Sequence, residues 1–205
     1  MNEASTIVRT GRKFDQVLEG ARKVFMSDGF EGASVDDIAK AAGVSKATLY
    51  SYFPDKKLLF IEMARVECGR MAEQTLGMMD INAPVRDAMK VAANQVINFL
   101  TSRFALQVFR ICVAESNRFP ELGRAFYENG PKRGRREIIE YFAIKVAHGE
   151  LKIPDFEMAA DQFSELCKSR LWNKAVFGIQ SEFTEFERRQ VAEEAVETFL
   201  ARYGA

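Results

Sequence analysis

The chain has 205 residues, 47% hydrophobic and 28% charged, with 29 Lys+Arg against 29 Asp+Glu. That length allows one domain, or a small domain beside a larger one, and folding at this size removes about 70% of the extended chain's surface, enough for a real core. A formal net charge of zero excludes a protein that coats nucleic acid through bulk charge, though not one with a local basic face.

Cys68, Cys112 and Cys167 are odd in number and far apart, neither a disulfide framework nor a zinc knuckle. Reduced thiols and a cytoplasmic address fit them. The single histidine, His148, excludes multi-histidine metal sites, so neither metal nor cofactor is expected. The first residues carry an acid, Glu3, and only a short apolar patch, so no signal peptide is expected. No run of 18 apolar residues exists to enter a membrane.

In chain order the periodicity is helical throughout. Phe14, Val17, Leu18, Ala21, Val24 and Phe25 recur at three- and four-residue steps, and Asp28-Gly29 ends that helix. Ser34 followed by Asp37 is a short-acid capping box that opens a helix over 35–42, and Gly43 stops it. Ser45 caps a third helix over 46–52. Pro54-Asp55 opens a long one to about Met78. Further helices are predicted at about 84–100, 103–118, 120–129, 131–148, 156–178 and 184–202, several opening at a proline. With no alternating strand and no Asn-Gly hairpin signal, the fold class is all-α. Residues 1–57 form one domain and 58–205 a second; helix 56–78 bridges them and the break falls within 77–82.

The two short helices meet at Gly43 and cannot stand alone. Ile38 and Ala39 face inward from the first, Leu49 and Phe53 (i and i+4) from the second, and Val44 plugs the turn. Phe14, Leu18 and Phe25 supply the supporting helix, which makes a helix-turn-helix with a three-helix core. Burying Leu49 and Phe53 turns Ala47, Thr48 and Ser51 outward, with Tyr50 and Tyr52 on the flanks and Lys46 at the open end beside Ser45. Small central side chains let a helix sink into the major groove of DNA, where Ala and Thr methyls can meet thymine methyls. The tyrosine hydroxyls, Lys46, Ser34, and Lys56 and Lys57 at the next helix start suit phosphates on the groove walls. Residues 40–57 carry a net +3, whereas residues 1–57 carry only +1. So small a patch needs two copies on one DNA site. Arg9, Arg12 and Lys13, before the first helix, are further candidates for a phosphate or the minor groove.

Residues 13–60 resemble the DNA-binding domain of the TetR family of bacterial transcriptional regulators. The resemblance is carried by Ala21–Phe25 before Gly29-Phe30, by Ser34-Val-Asp-Asp-Ile-Ala, by Ala42-Gly-Val-Ser-Lys-Ala-Thr-Leu-Tyr-Ser-Tyr-Phe53, and by Asp55-Lys-Lys-Leu-Leu-Phe60. Position 47 holds Ala where the family often has glycine, and Ala still permits close approach. The resemblance implies that helix 46–52 reads bases, and that Tyr50, Ser51, Tyr52 and Lys56 match positions that touch DNA in relatives.

In the remainder, Phe156, Ala160, Phe163, Cys167 and Leu171 form one line, and Ala159, Leu166, Trp172 and Val176 a second. Val191, Ala192, Ala195, Val196, Phe199, Leu200 and Tyr203 stripe the last helix. Two long helices this apolar predict a homodimer through a four-helix interface, and hence a pseudo-palindromic operator; the resemblance implies the same. It also implies an effector pocket in the C-terminal bundle. Phe104, Arg110, Cys112, Glu115 and Trp172 are the candidates there: an apolar lining with one charged anchor for a small, largely apolar ligand. Lys132-Arg133-x-Arg135-Arg136 reads as a solvated face interleaved with Glu137 and Glu140, and His148 as a helix cap. An all-α enzyme is disfavoured, because there is no P-loop, no GxGxxG and no ExxH pair. The expectation is a ligand-released repressor on double-stranded DNA. The alternative is a dimeric DNA-binding regulator controlled by a protein partner, without a small-molecule inducer.

Overall fold

The computed structural model describes residues 11–78, 80 and 82–205, with backbone only at 71–78. Arg9 and two positions of the 77–82 break lie outside them. The helices are α1 (Arg12–Gly32), α2 (Val35–Ala42), α3 (Lys46–Tyr52), α4 (Lys56–Met78), α5 (Val85–Leu100), α6 (Arg103–Glu115), α7 (Pro120–Asn129), α8 (Pro131–Ala147), α9 (Phe156–Leu166), α10 (Trp172–Val176) and α11 (Glu185–Tyr203). Among the described residues the sole β-type pairing is an isolated bridge between Leu151 and Gly204. No single helix there is long and apolar enough to cross a membrane.

The chain divides into two compact units. The head runs up to Glu67 and takes in Ile111–Phe126; the body holds Cys68–Arg110 and Tyr127–Ala205. The division therefore falls inside α4, ten residues beyond the sequence boundary, and a segment expected in the second domain belongs to the head. Helices α4, α6 and α7 each run from one unit into the other.

In the head, every residue of the predicted α1 stripe is buried. Gly29, at φ 73°, kinks α1 and turns Phe30 back so that its ring stacks on Phe25 at 5.9 Å. Phe60 of α4 meets both rings edge-on at 5.2 and 5.6 Å. At the other end of α1, Phe14 stacks on Phe53 at 5.5 Å. The α1–α2 crossing is close: a Cβ on Gly20 would stand 2.6 Å from the backbone nitrogen of Ala42.

In the body, α5, α8, α9 and α11 enclose a core in which Phe142 stacks on Phe199 at 4.9 Å and Phe163 meets Phe199 edge-on at 5.5 Å. Lys145, 1% exposed, donates to Glu150 at 2.8 Å and to the Ala83 carbonyl at 2.7 Å. Glu150 also accepts from the Val85 N–H, which satisfies a free donor at the start of α5. The Lys145 and Val85 bonds hold the Glu150 carboxyl below its ordinary value. His148 ends α8 as its C-cap, and each cation of the 132–136 run has an acidic partner: Glu128, Glu137, Asp161 and Glu140.

One expectation is corrected here. The predicted helix 156–178 is broken: the chain leaves α9 at Cys167, turns through Arg170 at φ 62°, and restarts as α10. The apolar stripes of the last helices are largely buried within the single chain. Ala159, Ala160, Phe163, Cys167, Leu171, Ala175 and the α11 residues Val191, Ala192, Ala195, Val196, Phe199 and Tyr203 are buried in the monomer core, and Leu166, Trp172, Val176 and Leu200 pack against it. Burial pushes the Cys167 thiol up to about 12, so it is a packing residue rather than a reactive one.

Candidate nucleic-acid interface

Helix α3 has seven residues, and its orientation is set by two side chains: Leu49 and Phe53 are 1% and 0% exposed. Its start is fixed by Ser45, whose hydroxyl oxygen accepts from the Thr48 N–H at 3.0 Å and lies 2.8 Å from the Thr48 hydroxyl. The preceding turn is fixed by Gly43, left-handed at φ 65°, whose N–H donates back to Ala39 and Lys40. The face opposite Leu49 and Phe53 therefore carries exposed Ala47, Tyr50 and Ser51 and half-buried Thr48. Tyr52 is half-buried because its ring meets Phe14 edge-on at 5.9 Å. Ser51 donates its hydroxyl hydrogen to the Thr48 carbonyl at 2.6 Å. That leaves its oxygen to accept, which suits the amino donors of adenine or cytosine better than a phosphate.

Four of the residues expected at phosphates have internal partners. The Lys46 ammonium reaches Asp36 of α2 at 2.9 Å, and that bond raises its pKa above the ordinary lysine value. Ser34 caps α2: it accepts from the Asp37 N–H at 3.0 Å and gives its own hydrogen to the Asp37 carboxylate at 2.5 Å, so its hydroxyl has no donor left for phosphate. The Lys56 ammonium departs furthest from its expected place. It donates to the carbonyls of Phe30 at 2.7 Å, Ala33 at 3.0 Å and Glu31 at 3.4 Å, and lies 4.7 Å from the centroid of the Phe30 ring. It closes the end of α1, whose carbonyls are left over by the kink. Lys57 instead donates to Glu121 of α7 at 2.6 Å.

Of the five effector candidates, Phe104, Arg110, Cys112 and Glu115 lie on α6, and Trp172 opens α10. Phe104, Arg110 and Trp172 belong to the body, whereas Cys112 and Glu115 belong to the head. The Arg110 guanidinium donates to the carbonyls of Ala175 at 2.6 Å and Val176 at 3.1 Å, closing the end of α10. Trp172 meets Phe109 edge-on at 5.0 Å, a neighbour the sequence reading did not single out. A groove of about 630 Å³ lies instead on the head, lined by Arg12, Asp15, Gln16, Glu19, Lys23, Ala41 and Ala42. Its mixed charges do not suit an apolar ligand.

Residues 17–63 match the family model for bacterial regulatory proteins of the tetR family, and residues 87–205 match that for the C-terminal domain of AefR-like transcriptional repressors. The second match covers more than half of the chain. The chain belongs to the TetR family. The solved structure of the flavonoid-responsive regulator FrrA is 36% identical, with a TM-score of 0.79, and the match covers 95% of this chain and 98% of that one. A TetR-family regulator from Mesorhizobium loti is 29% identical, with a TM-score of 0.87 over the same shares of both chains. The transcriptional repressor AcnR of Corynebacterium efficiens is 43% identical over 58 residues, 28% of this chain and 31% of AcnR, so that match spans about a third of the curated relative's length. TetR-family members are transcriptional regulators, not enzymes. In this TetR-family chain the 17–63 match contains all of α2 and α3.

Proposed function

We propose that this chain is a DNA-binding transcriptional repressor. As a homodimer it binds a pseudo-palindromic operator, and a small, largely apolar ligand releases it. The observation that carries the reading is the outward face of α3. With Leu49 and Phe53 buried, Ala47, Thr48, Tyr50 and Ser51 form a small-residue surface that can enter a major groove. Ser45, Lys46 and Tyr52 stand at its edges for the groove walls. Lys46 exchanges Asp36 for phosphate on binding, whereas Ser34 and Lys56 support the surface from beneath. The 1–57 and 58–205 functional division is kept with two changes: 58–67 and 111–126 go with the DNA-binding part.

Dimerisation is assigned to a different surface from the stripes. Phe177, Ile179 and Phe186 are 77%, 75% and 75% exposed, and Gln180 bonds to Glu187 at 3.1 Å, which holds the loop after α10 near the start of α11. A second copy covering these side chains removes their apolar surface from water. Ligand release is supported by the flavonoid-responsive relative and by the Phe109–Trp172 aromatic pair. Flavonoids are therefore the first compounds to titrate against Trp172 fluorescence. The alternative, control by a protein partner, is favoured by one observation: Arg110, the expected ligand anchor, is spent on α10. A bacterial DNA-binding regulator acts in the cytoplasm.

Footprinting on the DNA flanking the gene tests the function. The reading expects two protected half-sites about one helical turn apart, related by twofold symmetry. A single asymmetric footprint would contradict the dimer, and no protection at any concentration would contradict the DNA-binding reading.

A further inference from the structure

Two lysines open α4, and the structure treats them differently. Lys56 is locked onto three carbonyls of the α1 end. Lys57, one residue on, is held by a side chain from elsewhere: its ammonium donates to Glu121 at 2.6 Å and lies 5.1 Å from the centroid of the Phe119 ring. The holding site is itself built. Phe119 meets Phe30 edge-on at 5.9 Å, the Arg118 guanidinium lies 4.9 Å from the Phe119 ring centroid, and Arg118 pairs with Glu31. Four contacts thus fasten the 118–121 turn to the head at the start of α4.

Glu121 sits in the first turn of α7. The bond from Lys57, together with its own helix-start backbone, keeps its carboxyl below the ordinary value, so it is charged at neutral pH. Lys57 follows α3 after the short turn 53–55, at a helix start where phosphate is favoured. The pair is open to water, with side-chain exposures of 34% and 48%, so a phosphate can displace the carboxylate at modest cost.

Resting on the DNA-binding reading above, we infer that Glu121 sets DNA affinity from outside the helix-turn-helix, by competing with the DNA backbone for the Lys57 ammonium. Glu121 is a positioning residue and Lys57 the group that meets phosphate. Asp36 competes in the same way for Lys46, but from within the helix-turn-helix. Glu121 differs because α7 continues to Asn129, in the body. A shift of the α7 start changes how firmly Lys57 is held.

The test compares the full chain with Glu121→Gln, Lys57→Ala, the double variant and, as a charge control, Glu128→Gln at the far end of α7. Each is titrated against a 30-base-pair duplex of arbitrary sequence and against the footprinted DNA, over a range of salt. Glu121→Gln is expected to bind both about 2- to 5-fold more tightly per head, with a salt slope steeper by about one. Lys57→Ala is expected to bind more weakly with a shallower slope, the double variant to match Lys57→Ala, and Glu128→Gln to match wild type. Unchanged or weaker binding by Glu121→Gln overturns the inference. So does a gain that survives in the Lys57→Ala background, which would be general charge removal. Wild-type binding to the duplexes reports on the DNA-binding reading itself; only the comparison among variants reports on Glu121.

Discussion

The Lys56 ammonium meets the carbonyls of Phe30, Glu31 and Ala33, and its stem lies along the Phe30 ring. Lys56→Met keeps the stem and removes the donors, leaving half-buried carbonyls without their partner. The expected cost is about 1–3 kcal/mol of stability, read as a lowered melting temperature. An unchanged melting temperature with uniformly weakened DNA binding would instead give Lys56 the phosphate role that its position in the sequence suggested. These contacts leave no trace in the sequence, because the carbonyls are orphaned only by the kink at Gly29, and the lysine comes from 23 residues after the last of them. Leu49 and Phe53 were legible for the opposite reason: a seven-residue helix with two large apolar side chains at i and i+4 has one way to be buried.

Among the elements, those whose ends are set by local chemistry were legible to the residue. Ser34 with Asp37, Gly43 and Ser45 fix α2 and α3 through hydrogen bonds spanning three or four residues. The break between α9 and α10 was not legible, since Cys167–Leu171 contains neither Gly nor Pro and continues the helical stripe. The break arises from tertiary packing, which places Leu171 and Ala175 in the core and sends Arg110 onto the end of α10. Arg170 is left at φ 62°, which costs a side-chain-bearing residue about 1 kcal/mol. Arg170→Gly is therefore expected to raise the melting temperature slightly, by the equivalent of about 0.5–1 kcal/mol, and a clear loss would mean that the Arg170 side chain contributes more than its backbone costs. The same packing buries much of the last helices' apolar stripes within one chain. Periodicity shows that a stripe is buried, but not whether its partner is the same chain or a second one.

For the whole molecule, the all-α class and the helix-turn-helix at its start were legible, whereas the membership of 111–126 was not. The contacts that draw this segment to the head, Phe119 with Phe30 and Glu121 with Lys57, join residues 64 or more positions apart and leave no periodic trace. Charge followed the same pattern. A net of +3 falls over 40–57, yet Lys46, Lys56 and Lys57 all have partners in the free chain; on the proposed reading, DNA affinity depends on Lys46 and Lys57 exchanging their carboxylates for phosphate rather than on the charge count alone. On the proposed reading, base recognition falls to the outward face of α3, with Thr48 at its centre. The most direct measurement is the ratio of operator to arbitrary-duplex affinity for Thr48→Ala against wild type, taken beside a thermal melt. The account predicts a ratio lower by roughly tenfold at an unchanged melting temperature. An unchanged ratio would mean that this side of α3 does not lie against base pairs.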